Sequence, residues 1–177
     1  DIKIEINAES GLTDIVAERY DAGVRLGEQV AKDMIAVRIG PPLRMVGVAA
    51  PTYLEVHGIP QTPHDLTQHK CINLRMWSSG GLYAWEFEKD GQAVNVRVEG
   101  QVILNSGHLI LEAALAGHGI GFLMDDYVVQ GVETGQLLYI LEDWCPPFDG
   151  YHLYYPSRRQ PTPAFSLLVE ALRYRPA

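Results

Sequence analysis

Short apolar runs and alternating apolar positions follow one another along this chain, with helix-like spacing between them, and this pattern predicts an α/β fold. Apolar residues three and four positions apart predict helices at residues 12–20 after Ser10, from Pro51, around Leu111, and from Pro163 onward. Alternating or short apolar runs predict strands at 1–6, 21–24, 34–39, 43–50, 71–74, 120–123, 137–141 and 151–155.

The middle of the chain carries two sharper patterns. Aromatic and polar residues alternate before Asp90-Gly91, a pair that favours a tight turn, and valines alternate over 94–98 on the far side. This arrangement predicts an antiparallel hairpin. A strand at 100–104, the helix around Leu111 and the strand at 120–123 then predict a βαβ crossover with parallel strands.

Two proline pairs divide the chain, because no regular element passes through such clusters. Pro41-Pro42 and Pro146-Pro147 bracket a central block that contains the hairpin and the crossover. The simplest packing makes residues 1–41 and 147–177 one lobe and residues 42–146 a second lobe, joined by two chain crossings. A cleft between such lobes is where a small ligand is expected to bind.

Composition narrows the classes of function. The 177 residues carry a net charge of −8, so nothing draws this chain to phosphate backbones or anionic membranes. The uncharged apolar stretch at 113–124 is too short to span a bilayer and is interrupted by glycines. Cys71 and Cys145 show no disulfide or metal-binding spacing, which favours a reducing, cytoplasmic setting. The chain opens on Asp1 inside an apparent strand, which indicates a fragment of something longer.

Two strand-to-helix junctions offer hydrogen-bond donors to a ligand. Ser10-Gly11 follows the first strand, and Asn105-Ser106 precedes the crossover helix. Both serines have an alternative role as simple helix N-caps. Arg25 follows a predicted strand and either reaches a ligand carboxylate or makes a structural ion pair with Asp21, with Glu28 or with the far segment of the chain. Arg75 is a further candidate, with a solvated loop arginine as the alternative.

Signals for catalysis or metal binding are weak. His57, His64, His69 and Cys71 cluster in sequence, but their spacing matches no paired metal-ligand pattern. A Cys71 nucleophile beside His69 is contradicted by the apolar surroundings of the cysteine. The acidic pairs at 125–126 and 142–143 are interpreted as solvated caps. We therefore expect no catalytic residue, no metal and no cofactor.

Several segments of the chain nevertheless form a recognisable set. In order and spacing they resemble the effector-binding domain of LysR-type transcriptional regulators, over essentially the whole chain. The segments that carry the resemblance are Asp21–Glu28, Gly47–Leu54, Pro63–Leu66 with His69–Cys71, Ala113–Phe122 and Tyr154–Arg159.

The resemblance implies a type 2 periplasmic-binding-protein fold of two α/β subdomains joined by crossing strands. It implies that the first strand and helix of the domain, and a DNA-binding winged helix-turn-helix, lie outside this chain. Effector contacts implied by the family match Ser10 and Gly11, Asn105 and Ser106, and Leu123. Met124 stands where the family often has proline, and Arg25 is common in the subgroup that this chain resembles.

The resemblance therefore predicts a non-enzymatic, cytoplasmic sensor domain of a bacterial regulator. It would bind a polar or carboxylated small molecule between its subdomains, pair with copies of itself as a homodimer or tetramer, and reach DNA only through the other domain. Two alternatives stay open at this point. One is an exported solute-binding protein of the same fold, and the other is a small cytoplasmic enzyme for which His69 and Cys71 are the only candidates.

Overall fold

The computed structural model describes residues 2–8, 13–26, 33–77, 79–157 and 161–176. The chain divides into two compact units: unit 1 comprises Asp1–Pro42 with Phe148–Ala177, and unit 2 comprises Leu43–Pro147. The elements in chain order are β1 (Gly23–Leu26), β2 (Met34–Arg38), β3 (Met45–Ala49), α1 (Pro51–His57), a 3-10 helix (Pro63–Gln68), β4 (Ile72–Leu74), β5 (Trp85–Lys89), β6 (Gln92–Val96), β7 (Val102–Leu104), α2 (Gly107–Leu115), β8 (Gly121–Met124), α3 (Asp125–Glu133), β9 (Leu138–Ile140), a 3-10 turn (Glu142–Trp144), β10 (Tyr151–Pro156) and α4 (Pro163–Leu172).

Unit 1 contains an antiparallel sheet in the order β1-β10-β2. Its described core is small and consists of Val37, Leu153 and Val169, with partly buried apolar residues around them. Helix α4 begins as predicted, with Pro163 in its first turn and the Thr162 side chain accepting a hydrogen bond from the Phe165 N–H at 3.2 Å. The cap and the proline together determine where this helix starts.

The first strand predicted from the sequence, at residues 1–6, is wrong in its described part. Residues 2–8 form no strand, and Ile2, Ile4 and Ile6 are 57%, 57% and 85% exposed. Alternating residues become a strand only beside a partner that takes up their backbone hydrogen bonds, and none is described for this segment.

The helix expected over 12–20 is a turn in its described part. The Asp14 carboxylate accepts the N–H groups of Val16 and Ala17, and Arg19 turns left-handed with φ 59°. The strand expected at 21–24 is shifted to β1, and its Val24 is 50% exposed rather than buried.

Unit 2 is organised around a larger sheet. β3 pairs antiparallel with both β8 and β9, and β4 pairs parallel with β7. A parallel bridge between Cys71 and Ile120 joins the two groups, so the strand order is β7-β4-β8-β3-β9. The predicted βαβ unit is present with the expected direction, but β4 lies between β7 and β8.

The predicted hairpin is confirmed as β5 and β6. Asp90 and Gly91 have φ of 53° and 77°, as a two-residue turn between antiparallel strands requires. The hairpin carries Trp85 into the unit 2 core, where it is 1% exposed and its ring lies 5.1 Å from that of Phe122. This aromatic contact packs the hairpin onto β8.

Candidate functional site

The carboxyl ends of β4, β7 and β8 lie at one end of the unit 2 sheet, because these strands run parallel to one another. We call this end the carboxyl edge and the opposite end the amino edge. The Arg75 N–H donates to the Leu104 carbonyl at 2.7 Å, which places Arg75 beside the start of Asn105-Ser106. The structure thus brings Arg75 to the same edge as the adjacent pair Asn105-Ser106, from which it is distant in sequence.

Ser106 is the N-cap residue of α2, with extended backbone and no hydrogen bond from its side chain to the helix. Its carbonyl accepts the Ile110 N–H at 3.1 Å, so the backbone enters the helix normally. The first N–H groups of a helix have no partner within the helix and carry partial positive charge. Because the hydroxyl is not used as a cap, Ser106 and these N–H groups form a donor set suited to an anion or a carbonyl oxygen.

Arg75 is exposed, and its guanidinium donates to the Gly80 carbonyl at 2.7 Å. The same loop is closed by backbone hydrogen bonds between Met76 and Gly80 and between Met76 and Gly81. The side chain of Arg75 therefore stabilises its own loop, close to the alternative considered from the sequence.

Leu123 lies in β8 and is only 4% exposed. Its side chain belongs to the unit 2 core and lies under the start of α2, where a methyl group on Gly107 would lie 3.5 Å from it. Leu123 therefore supports the floor of the carboxyl edge rather than presenting a polar group.

The remaining predicted residues belong to unit 1. Ser10 and Gly11 lie outside the described residues. Arg25 is half-buried in β1, its guanidinium donates to the Thr13 carbonyl at 2.8 Å, and its charge lies over the Tyr154 ring at 5.3 Å. The contacts described for Arg25 thus hold Thr13, which follows Ser10-Gly11 closely in the chain.

An ion-pair network at the carboxyl edge escaped sequence reasoning. The Arg44 guanidinium donates to Asp125 at 2.7 Å and to Glu142 at 3.0 Å, and it lies over the ring of Tyr139, whose hydroxyl also donates to Asp125. Burial and the hydrogen bond to Asp125 raise the pKa of Tyr139. Arg44 is thereby neutralised and is not an unpaired cation for a ligand.

The acidic pairs lie in the first turns of their helices, and Glu142 and Asp143 stay exposed, as the interpretation as solvated caps expects, but three of the four residues also make ion pairs that it missed. Asp125 and Glu142 bind Arg44, and Asp143 pairs with Lys89. Up to 98 residues separate the partners in sequence, so no local signal points to these contacts.

The cysteine and histidine candidates have structural contacts. Cys71 is 2% exposed, its thiol faces the Leu66 carbonyl, and burial raises its pKa to about 12. Such a thiol stays protonated and is a poor nucleophile. His69 lies 3.3 Å from the Tyr53 hydroxyl, and burial lowers its pKa, with the nearby His57 adding to that effect. Across the described residues, no group of three or more histidine, cysteine or acidic side chains is placed to hold a metal ion.

The sequence matches the family model of the LysR substrate binding domain over residues 1–177. This chain belongs to that family. It is 58% identical over 174 residues to a Pseudomonas aeruginosa protein named "Putative transcriptional regulator", covering 98% of this chain and 57% of that protein. It is 43% identical over 177 residues to the Escherichia coli HTH-type transcriptional regulator PgrR, covering 100% of this chain and 59% of PgrR.

The fold of this LysR domain is also found in a solved structure. The full-length Vibrio cholerae virulence activator AphB superimposes with a TM-score of 0.80 at 24% sequence identity, covering 97% of this chain and 57% of AphB. The predicted fold class, an α/β fold of two subdomains of the type 2 periplasmic-binding-protein kind, is confirmed.

The LysR domain spans 57% and 59% of the lengths of the two curated relatives. Among the described residues, no helix is both long enough and apolar enough to cross a bilayer.

Proposed function

We propose that this chain is the effector-sensing part of a bacterial transcription factor of the LysR type. The family match over residues 1–177 carries the proposal, and the relatives that the chain matches are named as transcriptional regulators. The longer protein would bind DNA through a helix-turn-helix outside this chain, in the cytoplasm and as a homodimer or tetramer. Units 1 and 2 would correspond to its two regulatory subdomains.

The effector is proposed to be a small polar or carboxylated molecule bound at the carboxyl edge of unit 2. Support comes from Asn105, Ser106 and the first N–H groups of α2, which together offer donors and no carboxylate of their own. That Ser10 and Gly11 form a second wall, so that the effector lies between the subdomains, stays a prediction. Effector binding would shift the equilibrium between two conformations of the regulator, and the size of this shift is limited by the ratio of the effector's affinities for the two conformations.

A non-enzymatic role is part of the proposal. The curated relatives carry the names of regulators, and Cys71, the nucleophile candidate, is a buried thiol with a raised pKa. A domain that regulates by binding a ligand needs no nucleophile, whereas covalent catalysis needs an activated nucleophile in contact with the substrate.

The test uses the full-length regulator and a panel of small carboxylates, with operator binding as the readout. Ser106→Ala should weaken the response to the active carboxylate by about one to two orders of magnitude, since a charge-assisted hydrogen bond contributes roughly 1.5–3 kcal/mol. Ser166→Ala, on the exposed surface of α4, is the matched control and should leave the response unchanged.

Arg25→Ala separates the two roles open for that residue. If the contacts to Thr13 and Tyr154 are its only role, the melting temperature falls while effector affinity is kept. If affinity falls at unchanged stability, Arg25 binds the effector. An unchanged response in both Ser106→Ala and Asn105→Ala would refute the placement at the carboxyl edge.

A further inference from the structure

The amino edge of unit 2 contains a pocket of about 150 Å³ that the proposed effector site does not use. Its polar lining comprises Tyr53, His57, Lys70, Gln101 and His118, and we call it the amino-edge pocket. Lys70 and Gln101 directly precede the β4 and β7 regions, and His118 precedes β8, so the pocket lies at the opposite end of the same strands from Asn105-Ser106.

The backbone holds two of the basic residues next to each other. Gly117 follows the C-cap of α2 with φ 76°, and the His118 N–H donates to the Ala113 carbonyl at 3.0 Å. Gly119 follows with φ 151°, and a methyl group there would lie 2.3 Å from the Lys70 carbonyl oxygen. Only glycine permits that approach, so the backbones of His118 and Lys70 are fixed relative to one another.

Tyr53 connects the other side of the pocket. It is 4% exposed, its hydroxyl accepts the Lys70 N–H at 2.9 Å, and its ring centroid lies 4.4 Å from that of His57. One buried side chain thus positions both the backbone of Lys70 and the ring of His57. These contacts hold the backbone of Lys70 and the ring of His57 in place before a ligand binds, whereas the side chains of Lys70, Gln101 and His118 are exposed and free to reach it.

The charges of the pocket favour an anion. The chain has a net charge of −8, yet the described lining residues include a lysine and two histidines and no carboxylate. Within the described part of the chain, the ion pairs do not involve Lys70, His57 or His118. The carboxylate of Asp65, which lies close enough to His69 to act on its charge, accepts the N–H groups of Gln61 and Thr62, each at 2.9 Å.

We propose that the amino-edge pocket is a second ligand site, which binds the carboxylate or phosphate group of a small molecule. The Lys70 ammonium and the imidazoles of His57 and His118 would donate charge-assisted hydrogen bonds to the anion, and the Gln101 amide would add a neutral donor. The volume suits a group of a few heavy atoms, since a cavity of about 150 Å³ holds a molecule the size of benzene. The site is independent of the effector site at the carboxyl edge.

Isothermal titration calorimetry of the full-length regulator tests the proposal with two probes, sodium phosphate and sodium acetate, at an ionic strength held constant with sodium chloride. Saturable heat is expected with at least one probe. Binding of phosphate alone or of acetate alone identifies the preferred group, and binding of both shows that the pocket accepts either anion. No saturable heat with either anion overturns the proposal.

Variants locate the binding. Lys70→Gln and His118→Gln should each raise the dissociation constant about tenfold, because each removes one hydrogen-bond donor to the charged ligand group. Lys3→Gln and His64→Gln change exposed residues that do not line the pocket, and they should alter the dissociation constant less than twofold. Equal weakening in pocket and control variants would show a general charge effect and would also overturn the proposal. Circular dichroism checks that each variant is folded, and if one pocket variant does not fold, the other decides.

Discussion

Unit 2 and unit 1 are both built from strands and helices, but they bury different amounts of apolar surface. In the described residues, unit 2 contains one continuous core with Trp85, Ile72 and Leu137 almost fully buried. The described core of unit 1 centres on Val37, Leu153 and Val169, each still 5–7% exposed. Because apolar burial is the main stabilising force in folding, unit 2 should be the more stable part and unit 1 the first to open.

The largest expected effect is a core truncation in unit 2. Trp85→Ala removes a side chain that is 1% exposed and in contact with Phe122, and it should lower the free energy of unfolding by about 3–5 kcal/mol. Val169→Ala in unit 1 should cost about 1.5 kcal/mol, since it removes the equivalent of two methylene groups. Hydrogen exchange of the full-length regulator, followed separately for each unit, measures both. Equal losses would contradict the difference between the two cores.

A second prediction concerns the segment of unit 1 next to the second chain crossing. A methyl group on Gly150 would lie 2.0 Å from the Pro41 carbonyl oxygen, so Gly150→Ala should destabilise unit 1 by about 1–3 kcal/mol through forced backbone shifts. Gly40→Ala is the matched control, because its added methyl group would meet nothing closer than 3.8 Å. Thermal unfolding of the two variants measures the difference. If both variants lose the same amount of stability, the segment is intolerant of alanine in general and the clash with Pro41 is not the cause.

A third prediction tests whether α4 holds unit 1 together. Thr162→Ala removes the side-chain cap and should cost about 1 kcal/mol. Ser166→Ala, at an exposed position of the same helix, should be neutral or slightly stabilising because alanine favours helix. Exchange rates of the α4 amides should rise in the first variant alone, and a rise in both would show that the cap hydrogen bond is not the cause.

The smallest expected signal is the rate at which a thiol reagent labels the cysteines of the native protein. Both cysteines of the chain are buried in unit 2, and burial raises their pKa to about 12 for Cys71 and about 11 for Cys145. Labelling should be very slow in the native state and should appear only under denaturant that opens unit 2. Rapid labelling while unit 1 alone is open would contradict the higher stability of unit 2.

The same thiols predict a pH dependence. A raised folded-state pKa stabilises the protonated thiol, so this contribution is complete below the unfolded-state pKa near 8.5 and declines as the pH rises through about 9–12. Urea midpoints of unit 2 should therefore fall with rising pH in this range, and Cys71→Ala should reduce the slope.

Local signals in the sequence determined several elements correctly. The Asp90-Gly91 turn, the start of α1 at Pro51 and the cap of α4 at Thr162 are all where the sequence places them. Each depends on backbone angles or hydrogen bonds within a few residues, so no distant part of the chain is needed to specify it. The family could also be recognised from the sequence, because the order and spacing of its motifs are properties of the linear chain.

Other features were decided only by the tertiary structure. Residues 2–6 alternate like a strand but have no described strand partner, and β4 enters the sheet between β7 and β8. Part of the candidate site was predictable, since Asn105 and Ser106 follow a strand in the sequence itself. Three further features could not be predicted from the sequence: Arg75 lies beside this pair, Arg44 is neutralised by Asp125, and Lys70 and His118 line one pocket at the amino edge. The reason is that packing of the whole domain selects the partners of residues far apart in sequence.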